Sequence, residues 1–167
     1  IVRYWAADST VFDADDRTMT LTNDAAVHFQ QRQLDAYRIV LDFTQSTLIA
    51  RSNNADSVLE ATAGRQRRIL RDTGRTLQRG APKLSDGGTV YDGEVIVYNY
   101  KTKHGTVQLG TTEMEGGSYY GERIKQVAPK TLFVENGRYT TCTAPTPHYY
   151  FESPKMKVVM QDEIFAA

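Results

Sequence analysis

The chain has 167 residues, enough for one domain with a sizeable core, and 40% of them are hydrophobic. Twenty basic and twenty acidic residues cancel, so no nucleic-acid partner is expected, because phosphate binding draws on a basic excess. No apolar run approaches the roughly 20 residues that cross a bilayer as a helix, and the single cysteine, Cys142, has no partner for an internal disulfide.

The chain opens on Ile1-Val2-Arg3-Tyr4-Trp5, which reads as the inside of a strand and not as a charged-then-apolar leader; a mature form or an excised piece is expected. Alternation with period two follows. Thr18-Met19-Thr20-Leu21-Thr22 sets Met19 and Leu21 on one face, and Ala25, Val27 and Phe29 alternate with Ala26, His28 and Gln30. Ile39, Leu41 and Phe43 share a face, as do Ile96, Tyr98 and Tyr100, and then Val107 and Leu109. Polar clusters at 13–17, 23–24, 44–47, 101–105 and 135–137 separate these runs, and Asn136-Gly137 carries the signal of a hairpin turn. About ten to fourteen short strands account for such a chain.

The runs recur. Ala7-Asp8-Ser9-Thr10-Val11-Phe12-Asp13 aligns with Ala36-Tyr37-Arg38-Ile39-Val40-Leu41-Asp42, 29 residues on. Gly93-Glu94-Val95-Ile96 follows 57 residues later, read as two steps, then Gly121-Glu122-Arg123-Ile124 after 28, and a looser copy from Ser153 after 32. A small residue heads each copy, where a bulky one would collide as the chain turns a corner between two sheets. Open ends with unpaired edges are expected of such a body.

Between Arg51 and Thr89 the alternation fails, and one repeat, near position 64, is missing. Ser57-Val58-Leu59-Glu60 has the form of a capping box for one short helix, and six arginines (Arg65, Arg67, Arg68, Arg71, Arg75, Arg79) face one acid, Asp72. The stretch reads as an irregular insertion at about 52–88. Arg65, Arg67, Arg68 and Arg71 are candidates for gripping phosphates or an acidic partner; a solvated loop is the plainer account.

Two sets of segments carry a resemblance. Ala36-Tyr37-Arg38-Ile39-Val40-Leu41-Asp42-Phe43, with its shorter parallel Ala7-Asp8-Ser9, resembles the A-D-x-hydrophobic strand pattern of the OstA/LptA-like family. Tyr98-Asn99-Tyr100-Lys101-Thr102-Lys103-His104-Gly105, then Glu115-Gly116-Gly117-Ser118-Tyr119-Tyr120-Gly121-Glu122, then Phe133-Val134-Glu135-Asn136-Gly137-Arg138-Tyr139-Thr140-Thr141-Cys142 follow in an order similar to the N-terminal periplasmic domain of the lipopolysaccharide assembly protein LptD. Pro147 to Phe151 and Lys155 to Val158 continue it. The resemblance implies an all-β fold, a β-jellyroll or "β-taco" of two facing antiparallel sheets, acting in lipopolysaccharide transport without covalent chemistry or cofactor. It implies a periplasmic location at the outer membrane, with lipopolysaccharide acyl chains and other Lpt components, stacked end to end through their strands, as partners. It further implies that Cys142 forms a disulfide with an outer-membrane β-barrel of the same polypeptide, and the end at Phe165-Ala166-Ala167 suggests a piece of something longer.

On that reading the inner faces line a groove for acyl chains. The candidates are Phe12, Met19, Leu21, Val27, Phe29, Leu34, Ile39, Leu41, Phe43, Ile96, Tyr98, Tyr100, Val107, Leu109, Tyr119, Ile124, Leu132, Val134, Phe151 and Met156, with Leu48, Met114 and Val158 beside them. An enzyme is not expected. His28, His104 and His148 show no metal-ligand spacing, and a Cys142–His148 pair has no third orienting group. A carbohydrate-binding or structural β-module of the cell envelope is the alternative, with Tyr119-Tyr120 and Tyr149-Tyr150 as stacking candidates.

Overall fold

The computed structural model describes residues 2–53, 55, 80–114, 116–128, 130–144, 146–159 and 163–167. The strands are β1 (Val2–Trp5), β2 (Ser9–Asp13), β3 (Thr18–Phe29), β4 (Arg32–Asp42), β5 (Thr47–Arg51), β6 (Lys83–Asp86) and β7 (Thr89–Asp92), then β8 (Val95–Asn99), β9 (Gly105–Met114), β10 (Gly117–Ala128), β11 (Thr131–Thr140), β12 (Phe151–Val159) and β13 (Glu163–Ala166). All thirteen belong to one hydrogen-bonded, antiparallel sheet.

The sheet is folded over on itself, and the pairing shows where. Residues 38–42 of β4 pair with β5, while residues 32–35 pair with β6. In β9, residues 105–108 pair with β8 and residues 111–113 with β7. Each long strand therefore crosses from one wall to the other. Wall one holds β2, β5, β8 and β13 with the adjoining halves of β3, β4 and β9 to β12; wall two holds β1, β6, β7 and the remaining halves. The crossings form a row of corners along one margin, and the hairpin turns of both walls form the opposite lip.

The corners explain the repeat. Ala7, Ala36, Gly93, Gly121 and Ser153 all sit where the chain passes from wall two to wall one. A Cβ on Gly93 would lie 2.4 Å from Val107 Cγ1, and one on Gly121 would lie 2.6 Å from Val134 Cγ1. Neither glycine is in the left-handed region, so the demand is for space. The return crossings use a different device, left-handed backbone at Asn23 (φ 64°), Asp24 (φ 44°), Leu109 (φ 47°) and Asn136 (φ 47°). At the first, Asn23 and Asp24 stand opposite the lone Tyr37, a bulge that bends β3. Pro154 stands at the unpaired corner of β12, where its missing N–H costs nothing.

Three expectations change. Asn23-Asp24 and Asn136-Gly137 are not turns between strands; they are corners inside β3 and β11. Among the described residues no repeat is missing. Gly93 follows Ala36 by 57 residues, and Gly80 follows Ser52 by 28 at the intervening return corner; removing the second span from the first leaves 29, the spacing of Ala7 to Ala36. One ordinary period thus carries an insertion about as long as itself. Finally, 83–86 is not irregular: it forms β6, joined to β7 by Gly87 (φ 57°) and Gly88 (φ 95°). The expected helix start at Ser57–Glu60 and Arg65, Arg67, Arg68, Arg71, Arg75 and Arg79 lie outside the described residues.

Candidate functional site

The interior between the walls is the site to consider, and cross-strand pairing builds it row by row. Deep in wall one, Leu21, Ile39, Ala50, Ile96, Val107, Ile124, Val134 and Met156 stand directly beside one another across consecutive strands. Nearer the lip the row is Phe12, Met19, Leu41, Leu48, Tyr98, Gly105, Gln126, Leu132 and Val158. Facing them on wall two runs Tyr4, Val27, Leu34, Leu84, Tyr91, Thr112, Tyr119, Tyr139 and Phe151.

Of the expected lining, Leu21, Val27, Leu34, Ile39, Leu41, Ile96, Tyr98, Val107, Tyr119, Ile124, Leu132, Val134 and Met156 are buried in one continuous cluster, with Met19, Phe29 and Tyr100 partly buried against it. Leu109 is buried too, but apart from that cluster, because its left-handed corner breaks the alternation with Val107. Phe12, Phe43 and Phe151 are corrections: they are 58%, 38% and 50% exposed. Phe12 and Phe151 keep their inward register but end their rows where no further strand covers them. Phe12 and Phe43 pack on each other there, ring centroids 6.2 Å apart.

The sequence reading missed Leu84, inside the presumed insertion, and Tyr91, three residues beyond its end. The adjacent Gly87-Gly88 pair was the signal that would have found their hairpin. It also missed Tyr139, whose ring lies 4.7 Å from that of Tyr119.

The walls meet. Leu34, Ile39, Ile96 and Leu132 have no exposed surface, and a cavity of about 10 Å³ among Leu84, Tyr91, Ile96, Gly105, Thr106, Val107, Ile124 and Gln126 has room for about one water molecule. Burial pushes the Tyr91 hydroxyl up to about 12, reinforced by the Asp86 charge. At the lip, wall two reads Val2, Phe29, Arg32, Asp86 and Thr89 across its strands. Arg32 Nε lies 2.9 Å from Asp86 Oδ2, and that partner holds the guanidinium above its ordinary value although burial opposes its charge. Opposite stands Tyr98, with its ring 5.8 Å from that of Phe29 and 5.9 Å from Arg32 Cζ. Burial raises the Tyr98 hydroxyl, and the neighbouring Arg32 guanidinium opposes that shift through its charge and a side-chain hydrogen bond.

Both ends of the rows are bare. Tyr4, Trp5, Val11 and Phe12 are each more than half exposed on the edge strands β1 and β2, and Tyr149, Tyr150, Phe151 and Phe165 are exposed at the far end. Cys142 lies beyond β11, away from the interior rows. Its Sγ is 3.5 Å from His148 Nδ1, and the backbone N–H groups of His148 and Ala144, followed by the His148 ring, bring the thiol down to about 7. His28 and His104 are exposed, and among the described residues no group of three acidic, histidine or cysteine side chains is placed to hold a metal.

The same architecture occurs in a solved structure, LptH from Pseudomonas aeruginosa, described as the LptA homologous periplasmic component of the conserved lipopolysaccharide transport device. The two agree with a TM-score of 0.53 over 96% of this chain and 95% of that one, at 13% sequence identity. No family model and no curated protein matches the sequence. The likeness is one of fold, and the fold is the LptA-like β-jellyroll of two facing antiparallel sheets.

Proposed function

We propose that this chain is a periplasmic, non-enzymatic member of the OstA/LptA-like family, a single domain that holds lipopolysaccharide acyl chains between its two walls. The observation that carries the reading is the wholly apolar row from Leu21 to Met156 across eight consecutive strands, faced by a wall-two row that emerges at its two ends as the exposed aromatic residues Tyr4 and Phe151. Burying a chain of about a dozen carbons yields roughly 10 kcal/mol at about 0.8 kcal/mol per methylene, and only a continuous apolar path supplies that along its whole length. Edge strands at both ends suit stacking with other components of the same transport system, since unpaired backbone groups beside apolar side chains favour strand addition. A disulfide from Cys142 to an outer-membrane β-barrel belongs to the same reading.

The test is site-specific photocrosslinking in cells that make lipopolysaccharide, with the probe at Leu41 or Ile124 on the inner face and at Phe133 on the outer face. Lipopolysaccharide adducts from the inner positions and none from Phe133 are expected. Adducts from Phe133 alone, or polysaccharide without lipid, would instead favour the carbohydrate-binding module.

A further inference from the structure

The outer face of wall one carries a pattern that the groove does not use. Side chains that alternate with the inner rows point away from the interior. From β10 to β13 they form one cross-strand row, with Lys125 beside Phe133, Phe133 beside Lys157, and Lys157 beside Phe165. All four are exposed, Phe133 at 44% and Phe165 at 51%. Lys157 Nζ stands 5.7 Å from the centre of the Phe165 ring. The next row toward the corners adds Arg123, Glu135 and Lys155. Four cations therefore share this face with Glu135, which Arg123 engages at 3.2 Å, and with Glu163 at its lip-side margin.

The same outer row is uncharged from β2 to β9, where it reads Val11, Thr20, Val40, Ile49, Val97 and Thr106. The cations are thus gathered at one end of the sheet. At the other end the exposed Asp8, Asp13, Asp15 and Asp16 outnumber the exposed Arg3 and Arg17. The chain as a whole balances to zero, so an anionic surface attracts the β10–β13 end and repels the β2 end. Composition then separates a lipid surface from a protein partner. Protein interfaces exclude lysine from their centres, whereas here each exposed ring has a lysine directly beside it in register. Rings at headgroup depth, flanked by lysines whose stems reach past them to phosphate, suit a membrane surface.

We propose that the outer face of β10–β13 docks on an anionic phospholipid leaflet, with Phe133 and Phe165 seated among the headgroups and Lys125, Lys155 and Lys157 on their phosphates. Nothing in this docking needs the interior to open, so it stands apart from the groove reading. Phospholipid against the outer face is also consistent with lipopolysaccharide adducts confined to the inner positions.

Co-sedimentation of the whole chain with large unilamellar vesicles tests it. Binding is expected to phosphatidylcholine vesicles holding about a third phosphatidylglycerol and not to phosphatidylcholine alone, and it fades as added salt screens the charges. Each lysine near such a surface strengthens binding about fivefold, so Lys125→Gln/Lys157→Gln is expected to weaken it roughly 25-fold. Arg3→Gln/Arg17→Gln removes the same charge at the opposite end and is expected to change it by less than about twofold. Phe133→Ser leaves the charge alone and is expected to weaken binding about tenfold. These side chains are exposed, so the substitutions leave the fold intact. Equal losses from the two charge pairs, or undiminished binding by Phe133→Ser, would show attraction by net charge and overturn the docked face. Absence of binding by the parent overturns it as well. In that event, self-association of the parent that Phe133→Ser abolishes in sedimentation velocity would assign the face to a second copy of the chain.

Discussion

Gly93→Ala tests the account of the corners at one atom. The new methyl would lie 2.4 Å from Val107 Cγ1 and 3.0 Å from the Gln108 carbonyl oxygen. Gly93 is not in the left-handed region, so the penalty is steric alone. Val107 is β-branched, 4% exposed and packed between Ile96 and Ile124, so it has little freedom to withdraw. Overpacking of this kind costs about 1–3 kcal/mol. Val107→Ala alone removes two buried methyl groups and leaves a gap, at about 2 kcal/mol by comparison with other core truncations. Combined, the two changes exchange methyl for methyl in nearly the same space, so the pair is expected to cost about 1–2 kcal/mol less than the sum. Urea denaturation followed by circular dichroism measures all four corners of the cycle. At this chain length about 1 kcal/mol moves the melting temperature by roughly 2–4 °C, so the coupling is well resolved. Strict additivity would show that the small residue is not there to clear Val107, and the steric reading of the repeat would fail with it.

Asp86→Ala strands Arg32 in a mostly buried mouth and is expected to cost about 1–3 kcal/mol, whereas Glu135→Gln breaks the exposed Arg123–Glu135 pair (54% and 53% exposed) for at most about 0.5 kcal/mol; thermal melts of the two variants give the contrast, and equal losses would contradict the burial argument. Iodoacetamide alkylation of Cys142 is expected to rise with pH through a midpoint of about 7, below an ordinary thiol, since the thiolate is the reacting form. His148→Ala shifts that midpoint only partway up, because backbone N–H groups are the leading cause. The lowered value also means that the folded state favours the thiolate: this contribution to stability is present above the ordinary thiol value and is lost as pH falls through about 7. Trp5→Asp places a charge on a bare apolar edge and is expected to reduce concentration-dependent self-association in sedimentation velocity, if the ends stack as proposed; unchanged association would remove that end from the interface.

Alternation made the interior legible. Leu21, Ile39, Ile96, Ile124 and Met156 fall on the inner rows because side-chain direction in a strand has period two. The corners were half legible. A small residue at Ala36, Gly93 and Gly121 announces a crossing, but Asn136-Gly137 does not say whether positive φ serves a hairpin or a bend in a strand that continues, since both need the same backbone. The difference lies in what pairs afterwards: residues 137–140 stay beside β10 on wall two, a long-range fact. The mouth was hardly legible at all. Arg32 and Asp86 read as two polar positions in separate segments, and only the register of β4 with β6 makes them neighbours facing Tyr98. Leu84 and Tyr91 were hidden for a related reason: strands of four residues offer too little alternation to stand out beside an arginine-rich stretch.

On the proposed reading this chain is a carrier whose groove is filled by its own side chains, which looks contradictory until the alternative is costed. A permanently vacant slot for a chain of a dozen carbons, on the order of 300 Å³, would cost roughly 7 kcal/mol at about 24 cal/mol per Å³ of apolar cavity. That is comparable with the whole stability of an ordinary domain, about 5–15 kcal/mol. A single folded sheet has no second layer to make up the difference, so without cargo its walls close. The closed state is therefore the expected resting form of a lipid carrier of this size. Loading then exchanges one set of apolar contacts for another: side chain on side chain gives way to side chain on acyl chain. The exchange leaves the hydrogen-bonded ladders within each wall intact. On the proposed reading only the walls would move, about the row of corners where Gly93, Gly110, Gly121 and Gly137 leave the least side-chain bulk. An exchange close to balance is also what passing cargo onward requires, because a groove that gained the full burial energy of the chain would not release it.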